Sequence, residues 1–355
     1  MKKMWVVFLL LAASPGGGRT SESLHSSFFD GSGKAESLSI GSLRKIAENL
    51  AVQRQTLPAG LEQAYGIWGS RAQEINLHRL HPELRDSFTF AVIGDAEEGR
   101  FFWERWWLPG QDAYLRQLRA IHRAGPDMVF QLGDFVSKGT ARNYLRYLDF
   151  LNREVGLPMF HVIGNHDRSK TLGEADKTLY RAVFGDADFF VDYNGWRFVI
   201  LDSSDFRVTK EQLDWLDSVL ETPLRKVILT HVPPAYLKGA FHSQEAEGPR
   251  SSEYVTGKAF YFQAFFDEGN ARFGEIVSRR QVVRVYVGHM HAFGWAQSKG
   301  VRYVLTGGGG SPLYPLPPGY PQRKMAHFLI VQAGPGGLHE SVRLMDGSSF
   351  PIIFP

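Results

Sequence analysis

The sequence predicts a layered α/β fold. Short runs of β-branched and aromatic residues alternate with segments of helical periodicity, and most of the runs end in Gly, Asp, Asn or His. The 355 residues are 43% hydrophobic, which is enough for a well-buried core. Strands that alternate with helices are typical of α/β architectures. Such folds bind ligands just past the carboxyl ends of their strands, so the polar residues at those positions are the candidate functional residues.

Seven buried strands are predicted from the apolar runs at residues 88–93, 128–132, 159–163, 198–201, 227–229, 282–287 and 303–305. Between several of them, apolar residues recur at helical spacing. This periodicity predicts amphipathic helices at residues 114–124, 143–154, 210–220 and 270–279. No internal repeat or interior linker divides this part of the chain, so residues 88–355 are predicted to form one domain.

The N-terminal residues have the pattern of an export signal. Lys2 and Lys3 precede an apolar stretch, which is followed by small and turn-forming residues. That stretch is shorter than the roughly 20 residues a helix needs to cross a bilayer. We therefore expect a cleaved signal peptide at residues 1–20, no stable membrane anchor after its removal, and a periplasmic or secreted protein. Residues 21–87 are predicted to be a partly helical extension, with its helix at residues 41–56.

Charge and cysteine content exclude several classes of partner and linkage. The formal net charge is only +3, and no run of Lys or Arg is long enough to form a basic stripe for a nucleic-acid backbone. The chain has no cysteine, which excludes disulfide bonds and a lipid-modified cysteine anchor. The fold must therefore be held together by its core and by any metals that it binds.

The residues best suited to bind metal follow predicted strands. Taken alone, Gly-Asp after a strand is a weak signal, because Asp caps helices and Gly forms turns in many proteins. Here, however, five segments share one design, in which an apolar strand stops at residues able to bind metal, and the ordered set is specific. The segments are Gly94-Asp95-Ala96-Glu97, Gly133-Asp134, Gly164-Asn165-His166-Asp167, Thr230-His231 and Gly288-His289-Met290-His291.

The mixture of ligand types in these segments indicates two metal ions. Two cations about 3.5 to 4 Å apart require carboxylate, amide and imidazole ligands, with one carboxylate between the ions to offset their repulsion. The segments contain all three types. His289 and His291 alternate along an extended segment, so their side chains could reach different ions.

Through these segments the chain resembles the calcineurin-like metallophosphoesterase family, a group of dinuclear metal enzymes related to the purple acid phosphatases. The resemblance covers roughly residues 88–310 and includes His231 within Thr-His-Val-Pro-Pro. It implies a four-layer α/β/β/α sandwich. It also implies a ligand set in which Asp134 bridges both ions, Asp95 and His291 hold the first, and Asn165, His231 and His289 hold the second.

The first motif departs from the commonest pattern of that family. Asp95-Ala96-Glu97 has a carboxylate where the family usually has a histidine. As a ligand, Glu97 would make the first site rich in oxygen, which favours manganese or ferric iron over zinc. Alternatively, Glu97 faces solvent, and water or Glu98 completes the site. Purple acid phosphatases also lack this histidine, but they have a tyrosine where this chain has Ser137, so that subgroup is not favoured.

The resemblance implies hydrolysis of a small phosphorylated substrate, a phosphate mono- or diester. Two ions of manganese, iron or zinc would polarise the phosphoryl oxygens and generate a hydroxide that attacks phosphorus. The family assigns His166 as the acid that protonates the leaving oxygen, with Asp167 orienting its ring. Arg100 and Arg168 lie just beyond metal motifs, where they either clamp phosphate oxygens or remain solvated.

A competing hypothesis is a non-catalytic metal-binding protein that retains the phosphoesterase fold. The intact Asn165-His166-Asp167 segment argues against it, because a decayed site would have little need of the acid histidine. A metal-dependent hydrolase of another kind of bond is a third hypothesis. Metal analysis, combined with hydrolysis of a generic aryl phosphate, separates the enzyme from the binding protein.

Overall fold

The computed structural model describes residues 85–96, 113–238, 240–241, 265–310 and 326–354. The predicted signal peptide, the helix at residues 41–56, Glu97 and Arg100 lie outside these ranges. Among the described residues, no helix combines the length and the apolar character needed to cross a membrane.

The described residues contain twelve strands. These are β1 (Phe88–Ile93), β2 (Met128–Gln131), β3 (Met159–His161), β4 (Phe189–Tyr193), β5 (Trp196–Leu201), β6 (Arg225–Thr230), β7 (Arg284–Val287), β8 (Phe293–Ser298), β9 (Val301–Thr306), β10 (His327–Gly334), β11 (Gly337–Leu344) and β12 (Ser349–Pro351). They form two six-stranded sheets. The order is β12-β11-β10-β1-β2-β3 in the first sheet and β4-β5-β6-β7-β9-β8 in the second.

The strands that lead into the candidate metal motifs are parallel within each sheet. In the first sheet β1 pairs with β2, and β2 with β3, in parallel. In the second sheet β5, β6, β7 and β9 are successive parallel neighbours. Antiparallel strands β10, β11 and β12 extend the first sheet, while β4 and β8 close the two sides of the second. Parallel strands end on one edge of a sheet, so the motifs after β1, β2 and β3 lie side by side, as do those after β6 and β7.

Five α-helices in the described residues pack on the outer faces of the sheets. They are α1 (Ala113–Ala124), α2 (Ala141–Glu154), α3 (Thr178–Phe184), α4 (Lys210–Val219) and α5 (Asn270–Arg279), and a short 3-10 helix spans Ala235–Leu237. Thr140 caps α2 by accepting a hydrogen bond from the N–H of Asn143 (3.4 Å). Thr209 caps α4 through a reciprocal capping box with Gln212. Local residues therefore determine where these two helices begin.

Alternation of side chains along the strands creates a four-layer sandwich. Phe90 and Val92 of β1 point into the core between the sheets, where the Phe90 ring lies 5.1 Å from that of Phe198 on β5. Ala91 and Ile93 point the other way, into the core beneath α1, α2 and α3. A third core joins the outer face of the second sheet to α4 and α5. The layers are thus helices, sheet, sheet and helices, which confirms the predicted α/β/β/α sandwich.

The seven predicted strands and the four helices predicted between them are all present, with ends shifted by a few residues. The interpretation of the sequence missed β4, β8, α3 and the C-terminal strands β10, β11 and β12. Strands β8 and β11 carry polar residues and are only partly buried, so no continuous apolar run marks them. Strand β10 lies inside the first sheet and does contain an apolar run, Phe328-Leu329-Ile330-Val331, which the prediction overlooked.

A buried ion pair joins the two sheets. Arg284 on β7 donates to the Glu340 carboxylate on β11 from Nε (2.8 Å) and Nη2 (2.6 Å), and the Tyr286 hydroxyl donates to the same carboxylate (2.6 Å). The side chains of Arg284 and Glu340 are only 3% and 2% exposed. The guanidinium also lies over the ring of Phe354, 4.2 Å from its centroid. Each charge in this pair therefore depends on the other for compensation.

We expect Glu340→Ala to lower the free energy of unfolding by about 3–5 kcal/mol, because it leaves the buried Arg284 guanidinium without its carboxylate. Urea denaturation measures the change. Glu221→Ala is the control, since Glu221 pairs with Arg280 while 74% of its side chain is exposed. The control should lose no more than about 1 kcal/mol. Equal losses in the two variants would contradict the prediction.

Candidate metal centre

The candidate ligands lie in loops that leave the parallel strands of both sheets. Main-chain hydrogen bonds fasten neighbouring loops to each other. The Asp95 N–H after β1 donates to the carbonyl of Gly133 after β2 (3.0 Å), and the Gly288 N–H after β7 donates to the carbonyl of His231 after β6 (3.0 Å). The relative positions of the ligands are therefore set by the sheets and by their paired loops.

Three candidate ligands have a left-handed main-chain conformation, with φ of 60° at Asp95, 53° at Asp134 and 70° at His289. Non-glycine residues seldom adopt this conformation, which costs on the order of 1–3 kcal/mol where the surroundings hold it in place. Such strain is concentrated at functional sites. The sharp turns at these residues let each strand end directly at the centre.

Two glycines allow the loops to approach closely. A Cβ on Gly164 would collide with the main-chain nitrogen and the carboxylate of Asp134. Gly133 has φ of 95°, and a Cβ there would lie 2.7 Å from both Nδ1 of His231 and the main-chain nitrogen of Gly164. These motif positions therefore require glycine for steric reasons.

The structure brings the predicted ligands into two groups that share one carboxylate. Asp134, His231 and His289 form one group, and Asp95, Asp134 and His291 form the other. Within each group the ligand atoms all lie within 4.8 Å of one another. All five side chains are buried except that of His289, which is half-buried. Nε2 of His291 is 3.6 Å from Oδ1 of Asp95, and the N–H of His289 donates to Oδ2 of the same carboxylate (3.1 Å).

The Asn165 side chain joins the group formed by Asp134, His231 and His289. Its Oδ1 is 3.1 Å from Nε2 of His231, which also lies 3.2 Å from Oδ2 of Asp134 and 3.2 Å from Nδ1 of His289. One carboxylate oxygen, one amide oxygen and two imidazole nitrogens thus converge. This donor set suits a borderline or hard metal ion, and the shared Asp134 fits the bridging position between two ions.

The orientation and charge of His231 follow from its neighbours. Its Nδ1 donates to the carbonyl of Leu132 (2.7 Å), which turns Nε2 toward the centre. Burial lowers the pKa of His231, but the Asp134 carboxylate, with smaller contributions from Asp95 and the Leu132 carbonyl, outweighs burial and raises the pKa to about 9. Burial likewise opposes the charge on Asp134, yet the imidazoles of His231 and His166 hold the pKa of that carboxyl well below its usual range. Without metal, the two residues form a buried ion pair.

His166 lies at the edge of the centre and is held from two directions. Its main-chain N–H donates to Oδ1 of Asp134 (2.8 Å), and its Nδ1 lies 3.0 Å from the carbonyl of Ser137. The ring is half-buried. Because Nδ1 donates to that carbonyl, Nε2 is the ring nitrogen that is left to exchange a proton.

The role predicted for Asp167 as the group that orients the His166 ring needs correction. The Asp167 carboxylate accepts hydrogen bonds from the main-chain N–H groups of Asp134 (2.8 Å), Val136 (3.1 Å) and Gly164 (2.7 Å). The carbonyl beside Nδ1 of the ring comes from Ser137 instead. Asp167 therefore shapes the loops that carry the ligands, and the main chain orients the ring.

The predicted phosphate clamp at Arg168 is also wrong. Its side chain is fully buried and forms an ion pair with Asp205, so the guanidinium does not face a substrate. A basic residue just beyond a metal motif is usually exposed, whereas the Arg168 side chain points inward. Glu97 and Arg100 lie outside the described residues, so their predicted roles remain predictions.

The sequence was compared with protein families, curated proteins and solved structures. The sequence profile described as calcineurin-like phosphoesterase matches residues 88–293. The chain belongs to the calcineurin-like phosphoesterase family. Members of this family depend on two metal ions, and the two ligand groups of this chain match that requirement. Comparison with curated proteins gives no match.

One solved structure agrees with this assignment at the level of the fold. A purple acid phosphatase from yellow lupin seeds superposes with a TM-score of 0.53 and 18% identity, covering 75% of this chain and 53% of the lupin chain. This calcineurin-like phosphoesterase therefore spans about half the length of that relative. A dimetal phosphatase from Danio rerio has a TM-score of 0.49 and 16% identity, covering 76% of this chain and 99% of the other. At 18% identity the likeness to the lupin phosphatase bears on the fold alone.

Two further residues of this calcineurin-like phosphoesterase support the centre and were missed in the sequence. Phe206, with φ of 59°, packs edge-to-face against His289 with the ring centroids 5.5 Å apart. The Ser203 hydroxyl donates to the carbonyl of Val232 (3.1 Å) and accepts from its N–H (2.7 Å), which fixes the residue after His231. Both follow β5, which carries no ligand, and no local motif marks them.

We expect the metal-free protein to lose stability as the pH rises from 6.5 through about 9. The pKa of His231 is raised in the folded state from 6.5 to about 9, so its contribution to the free energy of unfolding is complete below pH 6.5. That contribution disappears as the folded imidazolium loses its proton, at no more than about 1.4 kcal/mol per pH unit. Urea denaturation of chelator-treated protein at both ends of this range measures the loss.

The Asp134→Asn variant provides the control for that measurement. It removes the carboxylate that contributes most to the raised pKa of His231. The free energy of unfolding of the variant should therefore vary less over the same pH range. If the wild type and the variant show the same pH dependence, the Asp134–His231 ion pair does not cause it.

Proposed function

We propose that this protein hydrolyses phosphate mono- or diesters with two metal ions held at the centre described above. The observation that carries the proposal is the position of Asp134, whose buried carboxylate belongs to both ligand groups. A bridging carboxylate between two sets of ligands is what a pair of neighbouring cations requires. Membership of the calcineurin-like phosphoesterase family supports the same reaction class.

The chain's own residues suit two distinct metal positions. Asp95, Asp134 and His291 would hold the first ion, and Asp134, Asn165, His231 and His289 the second. We propose Glu97 as a further ligand of the first ion. Its oxygen would favour manganese or iron over zinc. When bound, two such ions polarise phosphoryl oxygens and lower the pKa of water.

We propose His166 as the acid for the leaving group. Its main chain is fastened to the Asp134 carboxylate, while its ring is held by the Ser137 carbonyl. The histidine therefore keeps a constant position relative to the metal ligands, and proton transfer through Nε2 does not require the ring to move. A protein that only binds metal would have no use for this arrangement.

The substrate is proposed to be a small phosphorylated molecule, and Arg100 remains a candidate for contact with its phosphate. We also propose that the protein is exported. The support for export is the charged start and the apolar stretch within residues 1–20.

We expect Asp134→Asn and His289→Ala each to remove at least one metal ion and to reduce turnover to near background, since the chemistry depends on the ions. The measurements are metal analysis and hydrolysis of an aryl phosphate after titration with manganese, iron or zinc. His339→Ala, which removes an exposed histidine on β11, is the matched control and should behave like the wild type.

Metal content and hydrolysis together distinguish an enzyme from a non-catalytic metal-binding protein. Wild-type protein that binds two ions but hydrolyses no phosphomonoester or phosphodiester would favour the non-catalytic metal-binding protein. Both ligand variants retaining two ions and a near-normal rate would overturn the proposed centre.

We expect His166→Ala to keep both metal ions while turnover falls by about 10²- to 10⁴-fold, the usual effect of losing a general acid. The loss should be larger for esters with poor leaving groups, because these need the proton most. Rates measured on a series of aryl and alkyl phosphates check this. A uniform loss across the series would show that His166 does not protonate the leaving oxygen.

A further inference from the structure

We propose that Arg168 is a positioning residue that sets the orientation of the Asn165 side-chain amide at the metal centre. This inference rests on the proposed function, since it assigns Asn165 Oδ1 as a metal ligand. It replaces the predicted role of Arg168 in phosphate binding. The proposal concerns the Asn165 loop, defined as residues 165–173.

The Asn165 loop is wound around the guanidinium of Arg168. Nε donates to the carbonyl of Asn165 (3.3 Å), Nη1 to that of Gly173 (2.7 Å) and Nη2 to that of Thr171 (3.2 Å). Arg168 is among the largest fully buried side chains of the described residues. The loop has no regular secondary structure, so the hydrogen bonds from this planar guanidinium hold its main-chain carbonyls in place.

One of these carbonyls also determines which way the Asn165 amide faces. The carbonyl of Thr171 accepts a hydrogen bond from Nδ2 of Asn165 (3.1 Å). With Nδ2 fixed there, Oδ1 lies 3.1 Å from Nε2 of His231, on the side of the metal ligands. A flipped amide would direct two N–H donors toward the ions and lose the oxygen ligand. The Thr171 carbonyl is therefore the element that selects the ligating orientation, and Arg168 holds it in place.

Ion pairs anchor this arrangement to the other sheet. Arg168 forms an ion pair with Asp205, which follows β5, and Asp205 is also 2.8 Å from Nζ of Lys177. Lys177 in turn pairs with Asp202. The Asn165 loop leaves β3 of the first sheet, so the Arg168–Asp205 pair links the two sheets beside the centre. A buried guanidinium needs such a counter-charge.

Loss of the Arg168 guanidinium is expected to weaken the binding of one metal ion and not of the other. The Asn165 loop supplies a ligand to the second ion, while Asp95 and His291 of the first ion stand on loops after β1 and β7. Loss of the guanidinium should therefore weaken the second ion and leave the first nearly unchanged. A general loss of packing would weaken both ions alike.

The test is calorimetric titration of Mn²⁺ into the metal-stripped full chain, with Arg168→Met compared to the wild type. We expect one of the two ions to bind about 10- to 100-fold more weakly, the usual effect of removing a group that orients a ligand. Arg284→Met is the matched control, because it also removes a buried, ion-paired guanidinium but one at the far end of β7. It should bind both ions as the wild type does.

A double-mutant cycle shows whether Arg168 acts through Asn165. In the Asn165→Ala background the ligand is already absent, so adding Arg168→Met should change the affinity of the second ion less than twofold. Additive effects of the two substitutions, or unchanged Mn²⁺ binding in Arg168→Met, would overturn the inference. If Arg168→Met does not fold, Arg168→Lys applies, since lysine keeps the charge beside Asp205 but not the three-way donor geometry. The same selective weakening is expected, and unchanged binding overturns the inference.

The two proposals fail in different ways. A wild-type protein that binds fewer than two ions of manganese, iron and zinc alike would overturn the proposed function and this inference with it. A wild type that binds two ions, combined with an Arg168→Met variant that binds them equally well, would overturn the inference alone.

Discussion

A buried carboxylate stays charged only when positive charge or hydrogen-bond donors surround it. Asp134 is almost completely inaccessible to solvent, yet the His231 imidazole and the His166 N–H both contact it. Its own N–H is held by the carboxylate of Asp167. Under the proposed function two cations would share this carboxylate. The loops, the glycines and the left-handed turns around it hold the Asp134 carboxylate in a buried position between the two sheets.

The packing of the sheets sets the dimensions of the centre. Asp95 and Asp134 come from the first sheet, whereas His231 and His289 come from the second. The distance between the two pairs therefore depends on the aromatic core, in which the ring of Phe198 packs against Phe90 and Phe130 with centroids 5.1 and 5.0 Å apart. A close-packed core of this kind resists change in volume. It offsets the backbone strain at the ligands, because no single loop can relax without moving a sheet.

Two buried guanidiniums fasten the sandwich at opposite ends of the sheets. Arg284 stands at the start of β7 and pairs with Glu340 of the first sheet. Arg168 follows β3 and pairs with Asp205, which follows β5 of the second sheet. Each pair crosses from one sheet to the other, and the guanidinium of each is buried. The sheets are thus joined by charge at both ends and by apolar packing between them.

The sequence by itself determined the layered fold, the central strands and the set of candidate ligands from Asp95 to His291, because each ligand directly follows an apolar strand of recognisable composition. Only the tertiary structure decided the roles of Arg168, Asp167 and the Ser137 carbonyl. These depend on contacts such as Arg168 with Asp205, which are 37 positions apart and carry no local pattern. Periodicity reports which face of an element is buried, but the partner of a buried charge is settled by how the two sheets and their loops pack.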